Sequence, residues 1–201
     1  MAKLAPTKGN FLAEKKRLEL ARTGYELLDK KRNILIREMM QLIDTASELQ
    51  DRIESTFGEA YAALQRANIT CGIRPDLAED VPLDDSLSVR YRSVMGVEIP
   101  IVECNKSLPS IPPYGLSESN SALDEAFLRF AEVKNLSAVM AEVENSVYRL
   151  ADAIKKTQKR AKALKNIIIP ETEASVKEIS SMLEEKDREE FARMKIIKNW
   201  K

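Results

Sequence analysis

From Phe11 to Ala67 the chain has no proline, and apolar residues return at alternating steps of three and four. Phe11, Leu18, Ala21, Tyr25, Leu28, Leu35, Met39, Leu42, Ala46, Leu49, Ile53, Ala60, Ala63 and Ala67 form one stripe of period seven. A heptad stripe drifts against the 3.6-residue turn of a straight helix, so it stays on a partner only if the two helices wind left-handed about each other. The spacing therefore predicts a single coiled-coil helix, roughly 90 Å long at 1.5 Å per residue. Polar Glu14, Arg32 and Thr56 interrupt the seam. Arg32 either sets register or packs its stem while the guanidinium reaches solvent.

The partner stripe lies in the same chain. From Leu136 the spacing runs through Met140, Val143, Val147, Leu150, Ile154, Ala161, Leu164 and Ile168. Pro170 removes a backbone donor and is expected to kink this second helix, after which the stripe resumes out of phase at Val176, Ile179, Leu183, Phe191, Met194 and Ile197. Hydroxyls between Ser117 and Ser121 offer N-caps, with Asp124 and Glu125 in the first turn. Antiparallel pairing brings both termini to one end and leaves the carboxyl end projecting.

Six of the eight prolines fall between residues 75 and 113 and separate the two arms. Within that stretch Leu87, Val89 and Tyr91 alternate with Ser88, Arg90 and Arg92, and Val97, Ile99 and Ile101 with Glu98 and Pro100, and period two means strands. Val94-Met95-Gly96 suits a three-residue hairpin loop ending on a glycine at positive φ. Pro100 confines its strand to an edge. The acidic run Asp76 to Asp85 and the segment Leu108 to Gly115 read as flanking loops.

The fold expected is mainly α: a long antiparallel two-helix left-handed coiled coil with a short β-hairpin in the middle connection. The parts are an N-terminal helix over 1–70, loops and hairpin over 71–117 with the hairpin at about 87–102, and a C-terminal helix over 118–201. Leu28, Leu35, Met39, Leu42, Leu49 and Ile53 face Val143, Val147, Leu150, Ile154 and Leu164 across the seam.

Composition narrows function mostly by exclusion. Thirty-two basic side chains balance 32 acidic ones, and aromatics are 5% of residues. A balanced chain is neither a uniformly basic nucleic-acid binder nor an acidic tail. Histidine is absent, which removes the commonest general base and zinc ligand. Cys71 and Cys104 cannot make a four-ligand metal site, and they read as plain thiols of a reducing cytosol. The six glycines lie too far apart for a phosphate-cradling loop. Carboxylates sit opposite the apolar stripe, as a solvated face does. No cofactor and no catalytic residue is expected, and charges interrupt every stretch before it could span a membrane.

Local charge is uneven. Lys155, Lys156, Lys159, Arg160, Lys162 and Lys165 form a basic tract without an acidic member. It lacks aromatics for base stacking, so it reads as a solvated or partner-facing helix side. Lys3 and Lys8 at one terminus, and Arg193, Lys195, Lys198 and Lys201 at the other, surround Met194, Ile196, Ile197 and Trp200.

Four stretches, in order along the chain, carry a family resemblance. The opening Ala5-Pro6-Thr7-Lys8-Gly9-Asn10-Phe11-Leu12, running on to Tyr25-Glu26-Leu27-Leu28-Asp29-Lys30-Lys31-Arg32, closely resembles the start of the D subunit of the V-type and archaeal (V/A-type) rotary ATPases. Val94-Met95-Gly96-Val97-Glu98-Ile99-Pro100, Lys162 to Pro170, and Glu189-Glu190-Phe191-Ala192-Arg193-Met194-Lys195 are similar to the same family. The chain departs at Lys159 to Leu164, where the family often has Arg-Arg-Val-Asn-Ala-Leu, and at Tyr25, where histidine is common.

The resemblance implies a central rotor shaft that is not itself an enzyme. It implies coupling of ATP synthesis or hydrolysis, in a hexamer of A and B subunits, to rotation of a membrane ring and proton or sodium transport. The implied partners are that hexamer, the F subunit of the central stalk, and a socket component called C or d above the ring, with no nucleic acid and no membrane insertion. The implied location is cytoplasmic and peripheral to the membrane. Within that frame Leu4, Lys8, Phe11, Phe191, Arg193, Met194, Lys195, Ile197 and Lys198 are expected to form the bearing inside the hexamer. Val89, Tyr91, Met95, Gly96, Val97 and Ile99 are expected to meet the F subunit or to stimulate turnover. The stripe by itself would equally suit a free-standing coiled-coil scaffold or tether.

Overall fold

A computed structural model describes residues 5–73, 86–104, 114–115 and 119–199. Leu4, Trp200 and the acidic run Asp76 to Asp85 lie outside the described residues, as does most of the segment from Leu108. Helix α1 is Lys8–Cys71, strand β1 Ser88–Val94, strand β2 Val97–Glu103 and helix α2 Ser121–Ala163. A π-helical turn, Leu164–Ile168, leads into helix α3, Ile169–Asn199. The two long helical arms and the intervening hairpin match the fold read from the sequence.

Chain chemistry sets the ends of α1. The Thr7 hydroxyl accepts from the Asn10 amide at 3.2 Å and the Thr7 carbonyl from the Phe11 amide at 3.0 Å, so Thr7 is the N-cap. Gly72 ends the helix at φ +75, donating to the Asn68 carbonyl at 3.0 Å, a left-handed cap that glycine adopts without strain. At the start of α2 the Asn120 carbonyl accepts from the Leu123 amide at 2.8 Å and the Asp124 amide at 3.2 Å, the first bonds of the helix.

The chain divides into two compact units, one of residues 35–153 and one of the stretches before and after it. In the terminal unit Lys8 pairs with Asp187 at 4.0 Å and Arg22 with Glu173 at 2.6 Å, while the Lys165 ammonium lies 5.7 Å from the Tyr25 ring centre. In the central unit Glu59 meets Arg129 at 3.1 Å and Arg66 meets Glu125 at 3.2 Å. Partner numbers fall as α1 numbers rise, so in each unit the helical segments run antiparallel.

The seam supplies the core. Leu35 and Leu150 are fully buried, and Ala60, Ala63, Ala67, Val143 and Ala161 nearly so. Leu28, Met39, Leu42, Ile53, Val147, Ile154 and Leu164 are half-buried, and Leu49 is buried. Each large aliphatic side chain taken fully out of water contributes roughly 1.5–3 kcal/mol. The polar interruptions are satisfied locally: Arg17 reaches the buried Glu14 at 3.4 Å, Thr56 bonds to the Arg52 carbonyl at 2.7 Å, and Arg32 pairs with Asp29 at 2.7 Å. Arg32 therefore packs its stem and pairs along its own helix.

The π turn stands immediately before Pro170, where the sequence suggested a kink. The Ile169 amide donates to the Leu164 carbonyl, five residues back, so this turn holds one residue more than an α-turn. The seam requires that extra residue. After Ala161, Leu164 and Ile168, uninterrupted heptad spacing would bring Glu171 and Ser175 inward; the residues facing inward are Thr172, Val176 and Ile179. A single inserted residue would turn the apolar face by about 100°. The wider turn absorbs it and keeps the stripe on its partner.

Candidate interaction surfaces

The hairpin closes more tightly than the sequence suggested. Val94 pairs with Val97 across a two-residue turn, with Met95 at φ 51 and Gly96 at φ 75. Two positive φ values match the twist of the flanking strands. Register then separates the apolar residues. Arg90 and Arg92 lie opposite Ile101 and Ile99, while Val89 and Tyr91 lie opposite Val102 and Pro100. Directly opposed residues share a face, so Val89 and Tyr91 are on one side of the ribbon and Val97, Ile99 and Ile101 on the other.

Outer-edge groups of β2 dock the hairpin on α2. The Val102 amide donates to Glu142 at 2.8 Å, and Arg149 donates to the Glu98 carbonyl at 3.1 Å. Between them stands Pro100, which has no amide to satisfy. Arg149 also lies 5.3 Å from the Tyr91 ring centre, and Arg92 pairs with Glu38 of α1 at 2.7 Å. Of the residues expected to meet a partner, Ile99 is buried and Val97 half-buried; Val89, Tyr91, Met95 and Gly96 are exposed.

Helical phase reveals a second surface that the heptad reading missed. Glu38, Glu142 and Arg149 each precede a seam residue, Met39, Val143 and Leu150, and they carry the hairpin. Ile36, Met40, Ile43 and Tyr148 each follow a seam residue, and all four are exposed. In antiparallel helices, equal rotations away from the seam lead to the same side of the pair. The central unit thus has a flank covered by the hairpin and an opposite flank with a bare apolar stripe. The signal was present as a second three-four spacing, Ile36, Met40, Ile43, in the shadow of the stronger one.

The terminal unit bears a third surface. Lys8 stands opposite Asp187, and the Lys186 ammonium reaches the Pro6 carbonyl at 3.4 Å, yet α3 continues to Asn199. On that extension Phe191, Met194, Ile196 and Ile197 expose more than half of their surface, and the basic Arg193, Lys195 and Lys198 beside them are exposed too. Phe11 is half-buried and Lys8 exposed. The seam expected to continue through Phe191, Met194 and Ile197 is therefore uncovered among the described residues.

Small-ligand chemistry has little support. A cavity of about 580 Å³ beside Glu59, Arg66, Glu125 and Arg129 has these four charges already paired with one another. Among the described residues no cluster of three or more metal-ligating side chains occurs, and no helix is long and apolar enough to cross a membrane. Tyr114 donates to Asp124 at 2.7 Å; burial, that bond and the adjacent carboxylate hold its phenol well above the ordinary range.

Residues 10–199 match the model of the family described as the D subunit of ATP synthase. The chain belongs to the ATP synthase D-subunit family. Among its relatives are the V-type ATP synthase D subunit of Thermotoga neapolitana, 44% identical over 197 residues and 97% of each chain, and the A-type ATP synthase D subunit of Pyrococcus furiosus, 38% identical over 98% of this chain and 94% of the relative. The A-type ATP synthase D subunit of Methanopyrus kandleri is 35% identical over 96% of this chain and 85% of the relative. Similarity to the D-subunit family thus covers both helical arms, the hairpin and the exposed α3 extension together.

Proposed function

We propose that the chain is the central rotor component of a V/A-type ATP synthase. It couples ATP synthesis or hydrolysis in a hexamer of A and B subunits to rotation of a membrane ring and ion transport, and carries no catalytic residue of its own. The observation that carries this reading is the bare α3 extension, where a seam built for helix contact runs past the end of its partner helix. Such an apolar end ringed by cations fits a bearing inside a surrounding hexamer, made by Leu4, Phe11, Phe191, Met194 and Ile197 with the nearby basic side chains.

The flank of Ile36, Met40, Ile43 and Tyr148 is the seat for the F subunit, and the hairpin with Val89, Tyr91 and Met95 contacts a further component or stimulates turnover. A socket component, C or d, receives the end of the central unit at which α1 stops and α2 starts. The chain works on the cytoplasmic side, peripheral to the membrane.

Co-expression with the A, B and F subunits tests the reading. The chain should co-purify with all three, and ending it after Glu190 should lower the coupling of ATP hydrolysis to ion pumping while leaving the rest folded. A chain that purifies alone would instead be a free-standing tether, and full pumping by the shortened form would refute the bearing. Met40→Glu together with Tyr148→Glu should release the F subunit and leave the A and B subunits bound.

A further inference from the structure

The backbone of β1 has a side that nothing among the described residues uses. In a hairpin closed by a two-residue turn, Val94 and Val97 exchange hydrogen bonds, so Arg92, Arg90 and Ser88 also point their amides and carbonyls toward β2. Val89, Tyr91 and Ser93 then point theirs outward. The same alternation turns Glu98, Pro100 and Val102 outward on β2, and there the bonds from Val102 to Glu142 and from Arg149 to Glu98 show the phase directly. One edge of the ribbon is thus consumed by α2, and the sheet of described residues ends at the other.

Edge strands are usually blunted by being short, twisted away, covered or charged. This one is seven residues long, exposed from Ser88 to Ser93, and carries the apolar Val89 and Tyr91 about half exposed, with Leu87 just before it. On the opposite face Arg90 projects, 73% exposed despite its contact with Glu103, while Arg92 is held by Glu38 of α1 at 2.7 Å. A row of unpaired amides and carbonyls selects an extended backbone as its occupant. Side chains beside it would meet an apolar row on one face and the exposed Arg90 guanidinium on the other.

We propose that the edge of β1 left unpaired by the described residues is a strand-addition site for an extended segment of a neighbouring protein in the complex, one whose residues alternate apolar and acidic. This rests on the reading of the chain as part of a multisubunit ATPase, and it names the chemistry of the hairpin contact proposed there. The edge specifies the conformation of the segment, and the two faces specify its pattern.

The test begins with the isolated full-length chain and an eight-residue, end-capped, fluorescein-labelled peptide of alternating valine and glutamate, followed by fluorescence anisotropy. The peptide should bind, and Ser93→Pro, which removes an outward amide and leaves every ladder bond in place, should weaken binding about tenfold or more. Should that variant lose its hairpin, peptides N-methylated on alternate amides replace it. Methylation in one phase should abolish binding, and in the other should leave it intact. No binding, or equal binding by both methylated peptides, overturns the proposal.

In the assembled complex, hydrogen exchange at Val89, Tyr91 and Ser93 should slow at least about tenfold relative to the free chain, the signature of amides newly paired. If the complex forms and these amides still exchange freely, the proposal fails while the rotor assignment stands. If no complex forms, the assignment fails, and the peptide measurement alone decides the edge.

Discussion

Arg149 grips both strands of the hairpin: its guanidinium lies 5.3 Å from the ring centre of Tyr91 on β1, and it donates at 3.1 Å to the carbonyl of Glu98 on β2. Arg149 is exposed, so the cation–π attraction contributes about 0.5–1 kcal/mol and the bond to a neutral carbonyl a similar amount. Arg149→Ala should loosen the hairpin from α2 without altering helix content. Faster amide exchange at Val102, with an unchanged far-ultraviolet circular dichroism spectrum, is the expected result.

The π turn has two candidate causes, Pro170 and the extra residue in the seam, and they predict different outcomes. Because Thr172 and Ile179 are buried one position later than strict heptads allow, the insertion is the cause. Pro170→Ala should therefore keep the π turn, with the Ile169 amide still bonded to the Leu164 carbonyl. Deleting the exposed Ile167 in that background should restore α-helical bonding and raise the thermal midpoint by a few degrees, about 1 kcal/mol, relative to Pro170→Ala alone. A lower midpoint would show that the turn is set elsewhere.

Met95 occupies a left-handed conformation at φ 51, which costs a β-carbon-bearing residue about 1–2 kcal/mol and an asparagine less. Met95→Asn, giving Asn-Gly at the two turn positions, should stabilise the hairpin by roughly 0.5–1 kcal/mol. Slower amide exchange at Val94 and Val97 would register the gain, and since Met95 is exposed no core contact is lost.

Tyr114 should make stability fall at high pH. Its phenol is held above its ordinary value of about 10, so the folded state favours the protonated form more than the unfolded state does. The contribution is complete below about pH 10 and is lost as pH rises from there toward the folded-state value. Tyr114→Phe should cost roughly 1 kcal/mol at pH 8 through loss of the bond to Asp124, and should lessen the fall in urea midpoint between about pH 9.5 and 11. Parallel falls in both proteins would contradict the assignment.

The helical arms and the presence of a hairpin are local properties of this sequence. Period seven from Phe11 to Ala67 and again from Leu136 requires helices that share a seam, and period two around Val94-Met95-Gly96 requires strands, whatever surrounds them. The exposed residues of α3 were legible as an apolar and basic cluster on a projecting carboxyl end. Among the described residues none stands opposite them, because α1 begins at Lys8, level with Asp187.

Tertiary structure decided the rest, since it depends on register and phase between elements distant in sequence. Periodicity places Val89, Tyr91, Val97 and Ile99 on strand faces, but only the two-residue turn puts the pairs on opposite sides of the ribbon, burying Ile99 and leaving Tyr91 open. A heptad count finds the seam, but only docking of Glu38, Glu142 and Arg149 against the hairpin leaves Ile36, Met40, Ile43 and Tyr148 as the bare flank. The sequence determined which residues seek apolar company. Strand register and helix rotation determined which of them found it within the chain and which were left facing a partner.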